Sequence, residues 1–338
     1  MKNKMKLLVL GLLLATGLPA CENGRKQETA GATETPAAQT PAANVPTFNA
    51  DSAFAFVQKQ VSFGPRVPNT AAHRQTGDYL INQLKTYGGK VQVQEFTAKA
   101  YNGKVLNLRN IMAQYNPEAG KRILLAAHWD TRHVADKDKQ NPEKPIDGAN
   151  DGGSGVAVLL EIARQLKANP LQGNVGVDLL LFDGEDYGQP DSSTDPYQPD
   201  SWCLGSQYWS KNLMPAGYTA QYGILLDMVG AKNSRFAREE TSRVYAGDVV
   251  EKIWKTAHQI GYSDYFPFQD SPGITDDHTY VIQNTNIRMA DIIAYDPTSE
   301  DGYFGPYHHR HTDNLEVIDR RTLKAVGQTV LHVVMTEQ

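Results

Sequence analysis

The sequence predicts an α/β protein: a three-layer αβα sandwich around a central mixed, mostly parallel sheet. Three observations carry that prediction. Short apolar runs at residues 123–127, 177–182, 224–228 and 287–294 lack alternation, as strands covered on both faces do. Stretches with helical apolar spacing separate and follow them, at 156–167, 207–213, 248–260 and 323–335. Residues 90–96 alternate as a half-buried strand, and 105–115 looks like the hairpin partner.

The elements follow in order. Residues 51–61 place Phe54, Val57 and Val61 on one helical face, and residues 70–87 do the same with Tyr79, Leu80 and Leu84. The hairpin comes next. The alternation of buried strands and helices after it needs helices on both faces of one sheet. No second linker and no internal repeat interrupts residues 47–338, which read as a single catalytic domain.

Composition narrows the functional classes. With 338 residues, 40% of them hydrophobic and 21% charged, the chain is globular rather than disordered. A net charge of −5, with no basic run interleaved with aromatics, excludes a nucleic-acid partner from the expectation. Two cysteines cannot build a disulfide framework.

The N-terminus reads as an address. Lys2, Lys4 and Lys6 precede the apolar run of residues 7–14, and Leu18-Pro19-Ala20 leads into Cys21. A cysteine after a small residue resembles the lipobox of bacterial lipoproteins, with Pro19 an imperfect match. Residues 1–20 are therefore expected to be a lipoprotein signal peptide and Cys21 the lipidation site. Residues 21–46, rich in Ala, Thr, Pro, Gln and Glu and without an aromatic before Phe48, read as a flexible tether. The expected location is an exported, membrane-anchored lipoprotein in the periplasm. Cys203, the remaining cysteine, is expected to be a small buried apolar residue.

In doubly covered sheets, functional groups collect beyond the carboxyl ends of the strands. Here those positions carry His128-Trp129-Asp130, Asp183-Gly184-Glu185-Asp186, Asp227 and the loop His309-Arg310-His311-Thr312-Asp313. One such acid is often only a helix cap; four cases in one sheet point to a site. The Gly-rich stretch 148–155 lacks the spacing of a phosphate cradle and instead turns the chain so that Asp151 enters the site. His128, Asp151, Asp186, Asp227 and His311 are N and O ligands of the kind zinc accepts. Glu185, beside Asp186, is left free to move protons.

This order of motifs resembles the zinc aminopeptidase and glutaminyl cyclase superfamily. The match runs through Phe63-Gly64-Pro65-Arg66, His128-Trp129-Asp130, Asn150-Asp151-Gly152, Phe182-Asp183-Gly184-Glu185-Asp186, Leu225-Leu226-Asp227-Met228 and His311-Thr312. The resemblance implies a zinc aminopeptidase-like fold over residues 50–338 and one of two chemistries. Two-zinc aminopeptidases hydrolyse an N-terminal residue. One-zinc cyclases convert N-terminal glutamine to pyroglutamate and release ammonia. All five peptidase positions are filled, so ligand counting leaves both open. Thr275-Asp276-Asp277-His278 and the long segment ending in Asp200-Ser201-Trp202-Cys203-Leu204-Gly205-Ser206 are more similar to the cyclases.

On that resemblance, Asp151, Asp186 and His311 hold one zinc ion per chain, and Glu185 is the proton shuttle. Asp227 and Asp276 steady the departing nitrogen. His128 stands behind the ligands, or ligates a second zinc in the peptidase reading. Two departures stand out: Asp186 replaces a glutamate, and Arg310 precedes His311 where animal cyclases carry a pocket tryptophan. Trp202, Tyr303 and Phe304, with Tyr307, are the expected replacement wall. The implied partners are peptides and exported proteins that begin with Gln, and a membrane reached through the lipid anchor. The implied state is a monomer.

Overall fold

The strand β3 (Lys121–His128) occupies the middle of the sheet and organises the molecule. A computed structural model describes residues 45–337. The signal peptide, Cys21 and nearly all of the tether expected from the sequence lie outside the described residues. Among those described, no helix is long and apolar enough to cross a membrane. These described residues form one compact unit.

Two N-terminal helices, α1 (Ala50–Val61) and α2 (Ala71–Thr86), precede the hairpin β1 (Lys90–Lys99) and β2 (Val105–Tyr115). Then come β3, α3 (Gly153–Ala168), β4 (Val175–Phe182), α4 (Leu204–Lys211) and β5 (Tyr222–Asp227). The chain continues through β6 (Arg238–Glu239), α5 (Glu240–Gln259), β7 (Asp270–Ser271), α6 (Asp277–Asn284), β8 (Met289–Ile293) and α7 (Arg320–Met335). The large sheet runs β1-β2-β4-β3-β5-β8. Its first two pairings are antiparallel, and β4-β3-β5-β8 are parallel.

Strand periodicity builds two cores. Ile123, Leu125 and Ala127 of β3 face α1, α3, α5 and α7, while Leu124 and Ala126 face Trp209 of α4 and Val281 of α6. The apolar runs are therefore doubly covered strands. The structure corrects two boundaries. Helix α5 begins at Glu240, eight residues before its apolar period, because Glu239 caps it by accepting from the N–H groups of Thr241 and Ser242. Helix α6, which starts on the polar Asp277-His278-Thr279, carried too short an apolar period to be read.

From β3 the chain goes one way to β4 and later the other way to β5. This reversal opens a crevice at the carboxyl ends of β3, β4 and β5. His128 ends β3, Asp183 follows β4, and Asp227 ends β5.

Candidate active site

A cavity of about 230 Å³ opens at that crevice. Asp151, Glu185, Trp202, Asp227, Asp276, Phe304, His308 and His309 line it.

Two buried aspartates build its floor by gathering backbone N–H groups. Asp313 accepts from the N–H of Asn150 at 2.8 Å and of Asp151 at 3.0 Å. Asp130 accepts from Glu185 at 3.0 Å and Asp186 at 3.2 Å. Each thereby fixes a loop whose own carboxylate points into the site. Gly152, at φ 73°, turns the first loop into α3, and a Cβ there would meet the Asp130 carbonyl oxygen at 2.8 Å. Arg66, fully buried, donates to the carbonyls of Asp147 and Gly148 just upstream. That is the structural role of the Gly-Pro-Arg stretch.

The structure corrects one expected ligand. His311 is half-buried and turned aside, its Nδ1 3.0 Å from Asp138 Oδ2. His309 takes its place: its Nε2 lies 3.4 Å from Asp186 Oδ1, and it clusters with Asp151 and His308. The tight turn that ends with Asp313 N–H on the Arg310 carbonyl brings His309 and Asp313 into the site together. His309 Nδ1 faces Asp136 at 3.4 Å, the carboxylate-behind-imidazole arrangement that orients a metal-binding histidine. Burial, and then the Arg132 charge, push the His309 pKa down to about 4, so its ring is neutral as a ligand must be.

The electrostatics fit a cation. Both oxygens of Asp186 are buried without a hydrogen-bond partner among the described residues. Burial, reinforced by the Asp151 charge, pushes the Asp186 carboxyl well up. A buried carboxylate that accepts no hydrogen bond and lies beside another acid is stabilised by a metal ion. Asp151, Asp186 and His309 are an N/O donor set suited to zinc.

His128 lies between Asp151 and Asp227, and these three could also hold a metal ion. Its Nε2 lies 3.0 Å from Asp151 Oδ1 and 3.1 Å from Asp227 Oδ1. Burial alone would lower its pKa, but the carboxylates of Asp130, Asp151 and Asp227 around it outweigh burial and raise it well above the usual value. Burial raises Asp227 to about 7 despite its His128 partner. Burial also pushes the Glu185 carboxyl well above the usual carboxylate range. Asp276, the N-cap of α6, lines the same wall as Asp227.

The expected aromatic wall is partly as anticipated in position. Trp202 lines the cavity and stacks on His309, with ring centroids 5.7 Å apart and planes 7° apart, while Arg132 lies 4.4 Å from its ring centre. Phe304 also lines the cavity and packs on His308 at 4.1 Å. Tyr303 does not line it; its hydroxyl is 3.1 Å from Ser271 Oγ, and its ring supports Phe304 from behind. Tyr307 is buried against Met228, Ala231 and Ile293. With His309 in the ligand position, the residue before it is His308, which faces the cavity, and Arg310 points out to Glu300. Cys203 is buried as expected, and its Sγ also lies 3.2 Å from Glu185 Oε1.

Residues 110–334 match the profile of a single family. The chain belongs to peptidase family M28. Among solved structures, this M28 chain is similar to the glutaminyl cyclase of Tannerella forsythia, at 52% identity and a TM-score of 0.84, over 87% of this chain and 100% of that one. A Zn-dependent exopeptidase from Parabacteroides distasonis matches as well, at 53% identity, a TM-score of 0.84 and the same coverage. Among curated proteins, it is 27% identical over 177 residues to the glutaminyl-peptide cyclotransferase of Drosophila melanogaster, covering 51% of this chain and 46% of that protein. The chain spans about half the length of the curated relatives it matches.

Proposed function

We propose that this M28 protein is a one-zinc glutaminyl cyclase that converts N-terminal glutamine of peptides to pyroglutamate and releases ammonia. The observation that carries the reading is the position of His128. Its Nε2 lies 3.0 Å from Asp151 Oδ1 and 3.1 Å from Asp227 Oδ1, so contacts within the chain hold the two carboxylates that a second metal would use. The similarity to a bacterial glutaminyl cyclase over most of the chain supports the same reading.

Asp151, Asp186 and His309 would hold the zinc ion, which would supply Lewis acidity toward the side-chain amide carbonyl of the substrate. The chain's own groups do the rest. Trp202 and Phe304 pack the glutamine stem and exclude water. Glu185 takes a proton from the substrate α-amine as that nitrogen bonds to the side-chain carbonyl carbon. It then delivers the proton to the amide nitrogen, the carbon–nitrogen bond breaks, and ammonia leaves. Asp227 and Asp276 accept hydrogen bonds from that departing nitrogen. No protein nucleophile is required, because the attacking amine is tethered to its target.

The basic start, the apolar run and Ala20-Cys21 support an exported, lipid-anchored enzyme whose substrates are the N-termini of exported proteins. The test of the activity uses purified protein and a Gln-initiated dipeptide, with ammonia, free Gln and bound zinc measured on one sample. Ammonia without free Gln, at about one zinc per chain, is the expected result. Free Gln at two zinc ions per chain overturns the reading in favour of an aminopeptidase, with His128 and Asp227 as ligands.

A further inference from the structure

Glu185 sits where two segments of chain cross. Its N–H donates to Asp130, and its carbonyl accepts from the N–H of Cys203 at 2.9 Å. The side chains meet as well, with Cys203 Sγ 3.2 Å from Glu185 Oε1. The other oxygen, Oε2, faces His128 Nδ1 at 4.0 Å, beyond hydrogen-bond reach. The direct hydrogen bond to this carboxylate therefore comes from the thiol.

The backbone at Cys203 is unusual. Its φ is 55°, a left-handed conformation that residues other than glycine seldom adopt. That conformation turns the chain into α4, and the neighbouring Leu204 N–H bonds back to the Gly184 carbonyl. The 184–185 and 203–204 segments are thus laced at two backbone points and one side-chain point. The thiol is fully buried, away from solvent that could compete for the carboxylate. A thiol is a weak donor, so it orients the carboxylate while leaving most of its affinity for a proton.

We propose that Cys203 is a positioning residue: its thiol donates to Oε1 of Glu185 and holds the carboxylate in its cavity-facing orientation for proton transfer. The proposal rests on the reading of Glu185 as the shuttle. The test compares the whole protein with Cys203→Ala, Cys203→Gly and Cys203→Ser. Glycine removes the donor and relieves the left-handed backbone, so it guards against a failure of the alanine chain to fold. Serine restores a donor on the same backbone. The expected result is a kcat about fivefold to tenfold lower in the two donor-free variants, with KM, bound zinc and Tm held, and most of the loss recovered in serine. Wild-type turnover in both donor-free variants overturns the proposal, as does a serine variant as slow as alanine, or a kcat loss that tracks Tm. If the wild-type protein releases free Gln instead of ammonia, the cyclase reading fails, while the Cys203 comparison is still read on that hydrolysis.

Discussion

The Nε2 of His309 lies 3.4 Å from Oδ1 of Asp186, and Trp202 stacks flat on the same imidazole. His311, two residues on, turns away to Asp138. The metal should therefore distinguish the two histidines. His309→Ala is expected to lose bound zinc and to lower turnover at least about 100-fold, since even residues behind a ligand commonly cost 10–100-fold. His311→Ala is expected to keep one zinc and most of its activity. Zinc analysis on both variants decides the assignment, and the opposite pattern would return the ligand role to His311.

Glu185→Gln removes the shuttle and leaves the donor set in place. Its turnover is expected to fall by about 10²–10⁴ with zinc retained. A variant that keeps full activity refutes the role given to Glu185.

Asp130 touches no substrate, yet it accepts from the N–H groups of both Glu185 and Asp186. Asp130→Ala is expected to loosen this loop and weaken zinc binding about 10–100-fold. Competition with a chelator of known affinity reads the change. Unaltered zinc affinity would mean that the loop keeps its shape without the carboxylate.

Gly188 offers a test of the pocket wall. A Cβ there would collide with the Trp202 ring, which has Arg132 and His309 against it. Gly188→Ala is expected to displace Trp202, raise KM about tenfold and quench or shift tryptophan emission. A near-normal KM would show that the indole can move without harming the site.

The acid limb of stability has an identifiable contributor. Burial would raise the Glu239 carboxyl, but the His278 imidazole at 3.2 Å and hydrogen bonds from backbone N–H groups hold it down at about 2, from an ordinary 4.5. The sign follows: a depressed carboxyl stabilises the fold above pH 4.5 and loses that contribution as the pH falls toward 2. The loss is on the order of 2 kcal/mol. Chemical denaturation from pH 6 to 2 is expected to show a shallower decline for Glu239→Gln than for the wild type. Parallel declines would place the acid sensitivity elsewhere.

Much of the sheet was legible because burial on both faces leaves a plain signature. Residues 123–127 and 177–182 have almost nothing polar in them, and both are fully covered. The acids beyond strand ends were legible for a related reason, since Asp151, Glu185, Asp186 and Asp227 have few other reasons to follow core strands. The histidine loop was not. Three histidines in four positions carry no periodicity, and the turn that selects His309 is set by Asp313 reaching back to Asn150 and Asp151, 163 and 162 residues away. Cys203 was equally hidden. Its contact with Glu185 depends on a left-handed backbone that no local residue pattern announces. Tyr303 failed as a wall residue because Ser271, on a two-residue strand too short to read, draws its hydroxyl behind Phe304.

The order in which the chain supplies these parts has a consequence for its biosynthesis. All six strands of the main sheet are complete at Ile293, but His309 and Asp313 come afterwards. Asp313 is also what shapes the loop bearing Asp151. A nascent chain emerging N-terminus first can finish its sheet before His309 is present and before Asp313 can shape the Asp151 loop. The full donor set is therefore assembled only once residues 309–313 have folded onto the finished sheet.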